Sequence, residues 1–184
     1  MNRVEETIYA RKSVRNFSGE KIREEDLKAL VKAGIWAPNG MNAQLWHFTV
    51  VSEEKLIKRM AEACKKGMEN CPVEFLRNKA KEPGFNGLLG APAAIVISRK
   101  EGEYSAFDCG AAAENICLLA KERGLDTCIT AMTAFMFDSD PELKGELCIP
   151  EDYMFTCAVL IGYAVDGADN PARDRKEDVI TYIL

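Results

Sequence analysis

Apolar positions along the chain switch repeatedly between helical and strand-like spacing. Glu5–Arg11 reads as a short helix with Val4, Ile8 and Tyr9 turned inward. Glu24–Trp36 reads as a second, with Leu27, Leu30, Val31 and Ile35 along one stripe and Pro38 stopping it. Trp46–Val51 is short, β-branched and aromatic, the signature of a strand, and Glu53–Lys66 returns to helical spacing. Through Gly67–Gly90 the periodicity fades, punctuated by Pro72, Pro83, Gly84 and Gly87, which predicts a long, partly helical excursion. Such irregular segments are usually functional or mobile.

Ala93–Ser98 is a continuous apolar run suited to a buried strand. Ser105–Arg123 predicts a helix apolar on nearly every face, broken mainly by Asp108, Glu114 and Asn115, and such a helix must be covered all round. Thr127–Thr130 and Thr156–Ala164 read as strands, with Pro141–Leu147 a short helix between them. Asp178–Ile183 is strand-like but follows a charged segment, leaving a strand without an evident partner. With no repeat and no Pro/Ser-rich linker, 184 residues predict one domain, 1–184. Strands separated by helices first suggest a doubly wound sheet, yet G-x-G-x-x-G and G-x-x-x-x-G-K-[ST] are both absent. Gly84-x-x-Gly87-x-x-Gly90 has the wrong spacing and follows no strand.

Composition narrows the function classes. Hydrophobic residues at 47% and charged residues at 29% are those of a folded globular chain. A domain of this length buries close to ~70% of its unfolded surface, so its core needs neither disulfides nor a structural metal. The formal charge of −5 has the wrong sign for nucleic-acid binding by counterion release, and equally for an anionic membrane surface. Met1–Lys12 contains no apolar signal core, and the longest apolar stretch, near Val159–Val165, is too short to span a bilayer. A soluble cytoplasmic protein is expected. The seven cysteines are irregularly spaced with no C-x-x-C pair, so reduced core thiols are expected; Cys64 and Cys71, flanking a polar stretch, are the one pair with a redox reading. A single histidine, His47, excludes a multi-histidine metal site, and no G-x-S-x-G elbow accompanies it. Glu24-Glu25-Asp26 and Glu53-Glu54 stand at helix starts, where the macrodipole favours acids.

Three segments carry candidate chemistry. Arg11-Lys12-Ser13-Val14-Arg15 gathers three cations and a hydroxyl, a donor set suited to phosphate or another delocalised anion. The same cations would also complement the end of the first helix. Ala37–Trp46 is a polar turn against which a planar ligand could stack, or an ordinary connection built from turn-favouring Pro, Asn and Gly. Arg173-Asp174-Arg175-Lys176 is a second cationic cluster or a solvated charged segment.

The combination is more specific than its parts. R-K-S-x-R from Arg11, A-P-x-x-x-N-x-Q-x-W ending at Trp46, Gly90-Ala91-Pro92 before a strand, Asp108-x-x-x-Ala112-x-x-Asn115-x-x-Leu118 running to Gly124-Leu125, Ile161-Gly162-Tyr163 and the late arginines stand in one order. From residue 7 to 180 the chain resembles the nitroreductase family of FMN-dependent oxidoreductases. The resemblance implies an α+β homodimer, its mixed, mostly antiparallel sheet flanked by helices, with Asp178–Ile183 crossing to the partner's sheet. Two FMN sites would lie between the subunits. Arg11, Lys12, Ser13 and Arg15 would hold the FMN phosphate and the N1–C2 carbonyl edge, where reduction places negative charge that a cation stabilises. Arg173 and Arg175 would complete the phosphate clamp. Pro38, Asn39, Gly40 and Asn42 would come from the other subunit to cover the dimethylbenzene end, and backbone amides at Ala131 and Met132 would face flavin N5. Gly67–Gly90 would shape the substrate pocket.

NADH or NADPH would deliver hydride to N5 and be replaced by a nitroaromatic, a quinone or a similar small acceptor, a ping-pong cycle without a protein nucleophile. Leu45 stands where the family usually has proline, Asn39-Gly40 replaces a common serine pair, and Thr130-Ala131-Met132 replaces a glycine-containing segment beside N5. Bulk at Met132 motivates one alternative, a flavin-binding or regulatory dimer without turnover. Thiol redox chemistry at Cys64 and Cys71 is another.

Overall fold

Two successive residues of a strand face opposite sides of its sheet, so a strand apolar at every position needs cover on both. The computed structural model, which describes residues 2–167 and 174–184, supplies that cover. Strands β1 (Trp46–Val51), β2 (Ala93–Lys100), β3 (Asp126–Thr130) and β4 (Tyr153–Gly162) form one sheet in the order β1-β2-β4-β3, antiparallel at every pairing. Ala93, Ile95 and Ile97 of β2 stand opposite Ile161, Val159 and Cys157 of β4. These pairs share a core with Leu27 and Leu30 of α2 (Glu24–Ile35) and Ile116 of α5 (Ser105–Glu122). Ala94 and Val96 pair with Leu160 and Ala158 and meet Met60 and Met68 of α3 (Glu54–Glu69) on the other side. Burying each Ile or Val contributes about 1.5–3 kcal/mol, the main force holding three layers together.

The remaining helices are α1 (Arg3–Ala10), α4 (Glu74–Ala80), α6 (Phe135–Ser139) and α7 (Leu143–Glu146). Asn2 caps α1 by accepting from the Glu5 amide at 2.9 Å, and Glu53 caps α3 by accepting from Lys55 and Leu56 at 3.0 and 2.8 Å. Helix α3 runs one turn beyond the expected end because its last turn is buried. An ideal Cβ on Gly67 would stand 1.9 Å from the Phe135 carbonyl oxygen, so only glycine lets α3 meet that backbone. The excursion after it contains α4, and α6 follows a 3-10 turn at Met132–Ala134 that the periodicity does not announce.

One expectation differs from the structure. Helix α1 buries no residue: Val4, Ile8 and Tyr9 are exposed, and the helix lies on α5 through the Arg3–Glu122 and Arg11–Glu114 ion pairs. Asp178–Ile183 forms no strand within the chain, and Ile183 is 95% exposed. Ile35, Trp36 and Phe107 add to this exposed apolar surface, which exceeds the isolated exposures normal for a monomer. Among the described residues, no helix is long and apolar enough to cross a membrane.

No cysteine is in a disulfide, and all but Cys148 are buried. Burial pushes the Cys64, Cys117 and Cys157 thiols up to about 12, so at neutral pH they are protonated and poor nucleophiles. Cys64 Sγ lies 3.5 Å from the Met132 carbonyl, and Cys71 Sγ the same distance from that of Val73. Neither has the exposed, electropositive setting of a redox thiol.

Asp26 is a buried carboxylate that ties α2 to the end of α5. It accepts from Arg123 Nη1 at 2.6 Å and Arg23 Nε at 2.8 Å, and these hydrogen bonds hold it below its ordinary pKa. Its stabilising effect is complete above the unfolded value of about 3.9 and disappears as pH falls through the lower folded value. Asp26→Asn is therefore expected to lower the melting temperature at pH 7 and to lose its difference from wild type in strong acid, as followed by circular dichroism. Brief iodoacetamide treatment of the native protein is expected to label Cys148 alone, with all seven labelled after unfolding; mass spectrometry counts the adducts.

Candidate functional site

The cationic segment extends the edge of the sheet. Ser13 bridges Thr127 in parallel, and the Val14 amide donates to the Thr127 carbonyl at 2.9 Å. Val14 and Phe17 are buried in the α3-side core, while the Phe17 amide donates to Leu89 at 3.1 Å and Asn16 accepts from Val165 at 3.1 Å. Two apolar anchors, each contributing about 1.5–3 kcal/mol, dock the segment, so its cations remain available. Lys12 and Arg15 are exposed and form no ion pair among the described residues. Arg11 Nε is buried 3.0 Å from Glu114 Oε1, an ion contact without hydrogen-bond geometry. No side chain of this cluster hydrogen-bonds a carbonyl of α1, so these cations complement the helix end, where Arg11 is the C-cap, by charge alone.

Arg15 opens onto a cavity of about 730 Å³, within the usual ~300–1,000 Å³ of small-ligand sites. The end of β3, Cys128 to Thr130, forms one side together with Met132, and Phe75, Leu76, Phe85 and Leu89 form another. The irregular segment after α3 therefore borders a cavity. Met132 differs from expectation in one respect. Its amide donates to Thr130 Oγ1 at 3.1 Å and is already engaged, whereas the Ala131 amide has no protein acceptor among the described residues. Thr130 is thus a cavity residue, named in the sequence only as part of the Thr130-Ala131-Met132 departure and not as a site residue.

A second cavity, of about 330 Å³, belongs to the α2 and α5 layer. Pro38, Asn39, Gly40 and Met41 line it with Tyr104 and Phe107. The turn is held by its own polar groups: Asn39 Oδ1 accepts from the Gln44 amide at 3.0 Å, and the Gly40 amide donates to the buried Asp108 carboxylate at 3.1 Å. Met41, Asn42 and Gln44 all take positive φ, between 49° and 56°, a region costly for methionine and tolerable for asparagine. An ideal Cβ on Gly40 would stand 2.9 Å from Tyr104 Cδ2, so turn and helix touch directly.

The two cavities share no lining residue. Of the expected site residues, the structure brings Arg15 and Met132 to the larger and Pro38, Asn39 and Gly40 to the smaller. Arg11, Lys12, Ser13, Asn42 and Ala131 line neither, and neither does the exposed Arg175. Arg173 lies outside the described residues. His47 is half-buried in β1 with its ring edge-on to Tyr153 at 6.2 Å, away from both.

Residues 8–163 match the model of the nitroreductase family. The chain belongs to the nitroreductase family. It is 31% identical, over 92% of its length and 95% of the relative's, to a protein of Archaeoglobus fulgidus named for the NADH dehydrogenase/NAD(P)H nitroreductases. It is 30% identical to the iodotyrosine deiodinase of Thermotoga neapolitana, covering 94% of this chain and 93% of that one. A nitroreductase of Desulfitobacterium hafniense DCB-2, solved with bound FMN, superposes with a TM-score of 0.91 at 31% identity over all of both chains. The α+β fold of this nitroreductase-family chain, a sheet flanked by helices on both faces, is accordingly that of an FMN-binding neighbour.

Because Asp108 latches the turn by one buried hydrogen bond, Asp108→Ala is expected to speed amide exchange at Gly40 by about tenfold or more. Asp108→Asn, which keeps an acceptor, should leave most of the protection; hydrogen exchange read by mass spectrometry or NMR distinguishes them.

Proposed function

We propose that this nitroreductase-family chain is a homodimeric, FMN-dependent oxidoreductase that passes electrons from NADH or NADPH to a small acceptor such as a nitroaromatic or a quinone. The observation that carries the reading is the split between the cavities. One half-site holds Arg15, without an ion-pair partner among the described residues, on the α3 side of the sheet, the other an apolar turn on the α5 side, and a sheet separates them. A second copy would join them, and the exposed apolar surface of α1, Trp36 and the tail gives it a reason to bind.

The residues fit FMN. Lys12 and Arg15, without carboxylate partners among the described residues, and the Ser13 hydroxyl suit a dianionic phosphate and an electron-rich ring edge. Arg11 would join them on releasing Glu114, and Arg173 and Arg175 would complete the phosphate clamp. Pro38, Asn39, Gly40 and Asn42 of the partner would cover the far end of the ring. Ala131 presents its free amide beside the cavity, with Met132 held back by Thr130. Bound FMN would supply a two-electron carrier that donor and acceptor visit in alternation. Phe75, Leu76 and Phe85 would exclude water and favour planar acceptors. The tail, Asp178–Ile183, would add its strand to the partner's sheet, and residues 1–184 would act as one domain.

The neighbour from Desulfitobacterium supports the cofactor, and the Archaeoglobus name the donor. The deiodinase shows that acceptors differ among relatives, so the acceptor rests on this chain's own cavity. The purified protein is expected to show flavin bands between roughly 350 and 500 nm that bleach within seconds on anaerobic addition of NADH or NADPH. Arg15→Glu should retain little or no FMN. Bands that persist with both donors would replace turnover by flavin binding alone, and absence of bands after adding FMN would remove the assignment.

A further inference from the structure

We infer that Phe107, together with Met41, reaches across the dimer into the larger cavity of the partner subunit and sets which acceptors that cavity takes. The inference rests on the proposed dimeric FMN site and adds to it a residue outside every motif of the sequence reading.

The Pro38–Met41 turn is tied directly to the start of α5. The Asp108 carboxylate holds the Gly40 amide at 3.1 Å, and Gly40 packs against Tyr104 closely enough that a Cβ would stand 2.9 Å from the ring. The Pro38–Met41 turn and the first turn of α5 therefore move as one body. Wherever the turn is placed, Phe107, one residue before Asp108, goes with it. If the turn covers the partner's flavin, Phe107 arrives beside that flavin too.

Phe107 is 76% exposed and Met41 95% exposed in the single chain, so both apolar tips are free to enter a neighbour. Among the described residues, only Glu101–Tyr104 separates β2 from α5 at this point. The interface is continuous with this point. Phe107 and Leu118 are eleven residues apart, three helical turns, and so share a face of α5. Leu118 lines a groove of about 630 Å³ with Val4, Ala33, Trp36 and Leu119. The face that buries that groove in a dimer ends at Phe107. On the receiving side, Phe75 and Phe85 offer aromatic edges but line only part of an open cavity. An aromatic side chain supplied from outside would close it and give a planar acceptor a stacking surface.

The test uses FMN-loaded dimers and nitrobenzene binding without an electron donor, read from the perturbation of the flavin absorbance band. Phe107→Ala is expected to retain FMN and the dimer while weakening nitrobenzene by about tenfold. Phe107→Leu, which keeps an apolar interface side chain, should fall between. Mixed dimers then assign the subunit. One chain carries Phe107→Ala with an intact cavity, the other Arg15→Glu with Phe107 intact, so the single flavin sits in the first chain. Wild-type affinity at that flavin is the expected result, because its Phe107 comes from the other subunit. Affinity as weak as in the Phe107→Ala homodimer, or unchanged affinity in that homodimer, would overturn the inference while leaving the FMN function intact. A wild-type chain that holds no FMN or sediments as a monomer would remove the proposed function and this inference with it.

Discussion

Close packing of α5 on the sheet governs the arrangement of both half-sites. Ala112, Ala113 and Ala120 are fully buried, and small side chains bring the helix down onto β2, β4 and β3. Ile116 is equally buried and nearly touches α2, where an ideal Cβ on Gly34 would stand 3.0 Å from Ile116 Cδ1. That packing leaves little freedom to the segments at either end of α5. Asp108, in its first turn, latches the Pro38–Met41 turn. Leu125, just past its end, is buried and leads into β3, on whose edge Ser13 and Val14 dock. One helix thus places the apolar turn and the cationic segment, and the sheet keeps them apart within a chain.

Electrostatics and hydrophobicity then divide the work. The chain is acidic overall, and several of its surface cations are matched: Arg59 meets Asp140, Glu142 and Glu146, and Arg123 meets Asp26. Arg15 stands out because it opens onto the larger cavity while no described carboxylate answers it. Exposed apolar side chains stand out in the same way on α1, the end of α2, the start of α5 and the tail. Unmatched cations call for an anion, and unmatched apolar surface calls for a protein partner. A cofactor held between two subunits, as proposed, would answer both.

The parts legible in the sequence are those decided by local periodicity. Trp46–Val51 and the start of β2 at Ala93 were readable because β-branched runs with clear ends leave no alternative, and α5 because apolar residues occupy its length without a breaker. The inward face assigned to α1 was wrong for a physical reason: amphipathic spacing cannot distinguish a core face from a face awaiting another chain. The tail, whose strand is expected on a partner's sheet, forms none within the chain. Gly67 and Asp108 carry their roles through partners 68 residues away, Phe135 and Gly40, and no local pattern announces such contacts. Met132 was legible as a site residue, but not the bond from its amide to Thr130 Oγ1, which decides which amide stays free.

The central claim is that the flavin site is complete only in the dimer. Sedimentation velocity across a protein dilution series, followed at both protein and flavin absorbance, tests it most directly. The account predicts that FMN travels with the dimer alone and is released in step with dissociation. FMN travelling with the monomer, at an affinity unchanged by dilution, would contradict it.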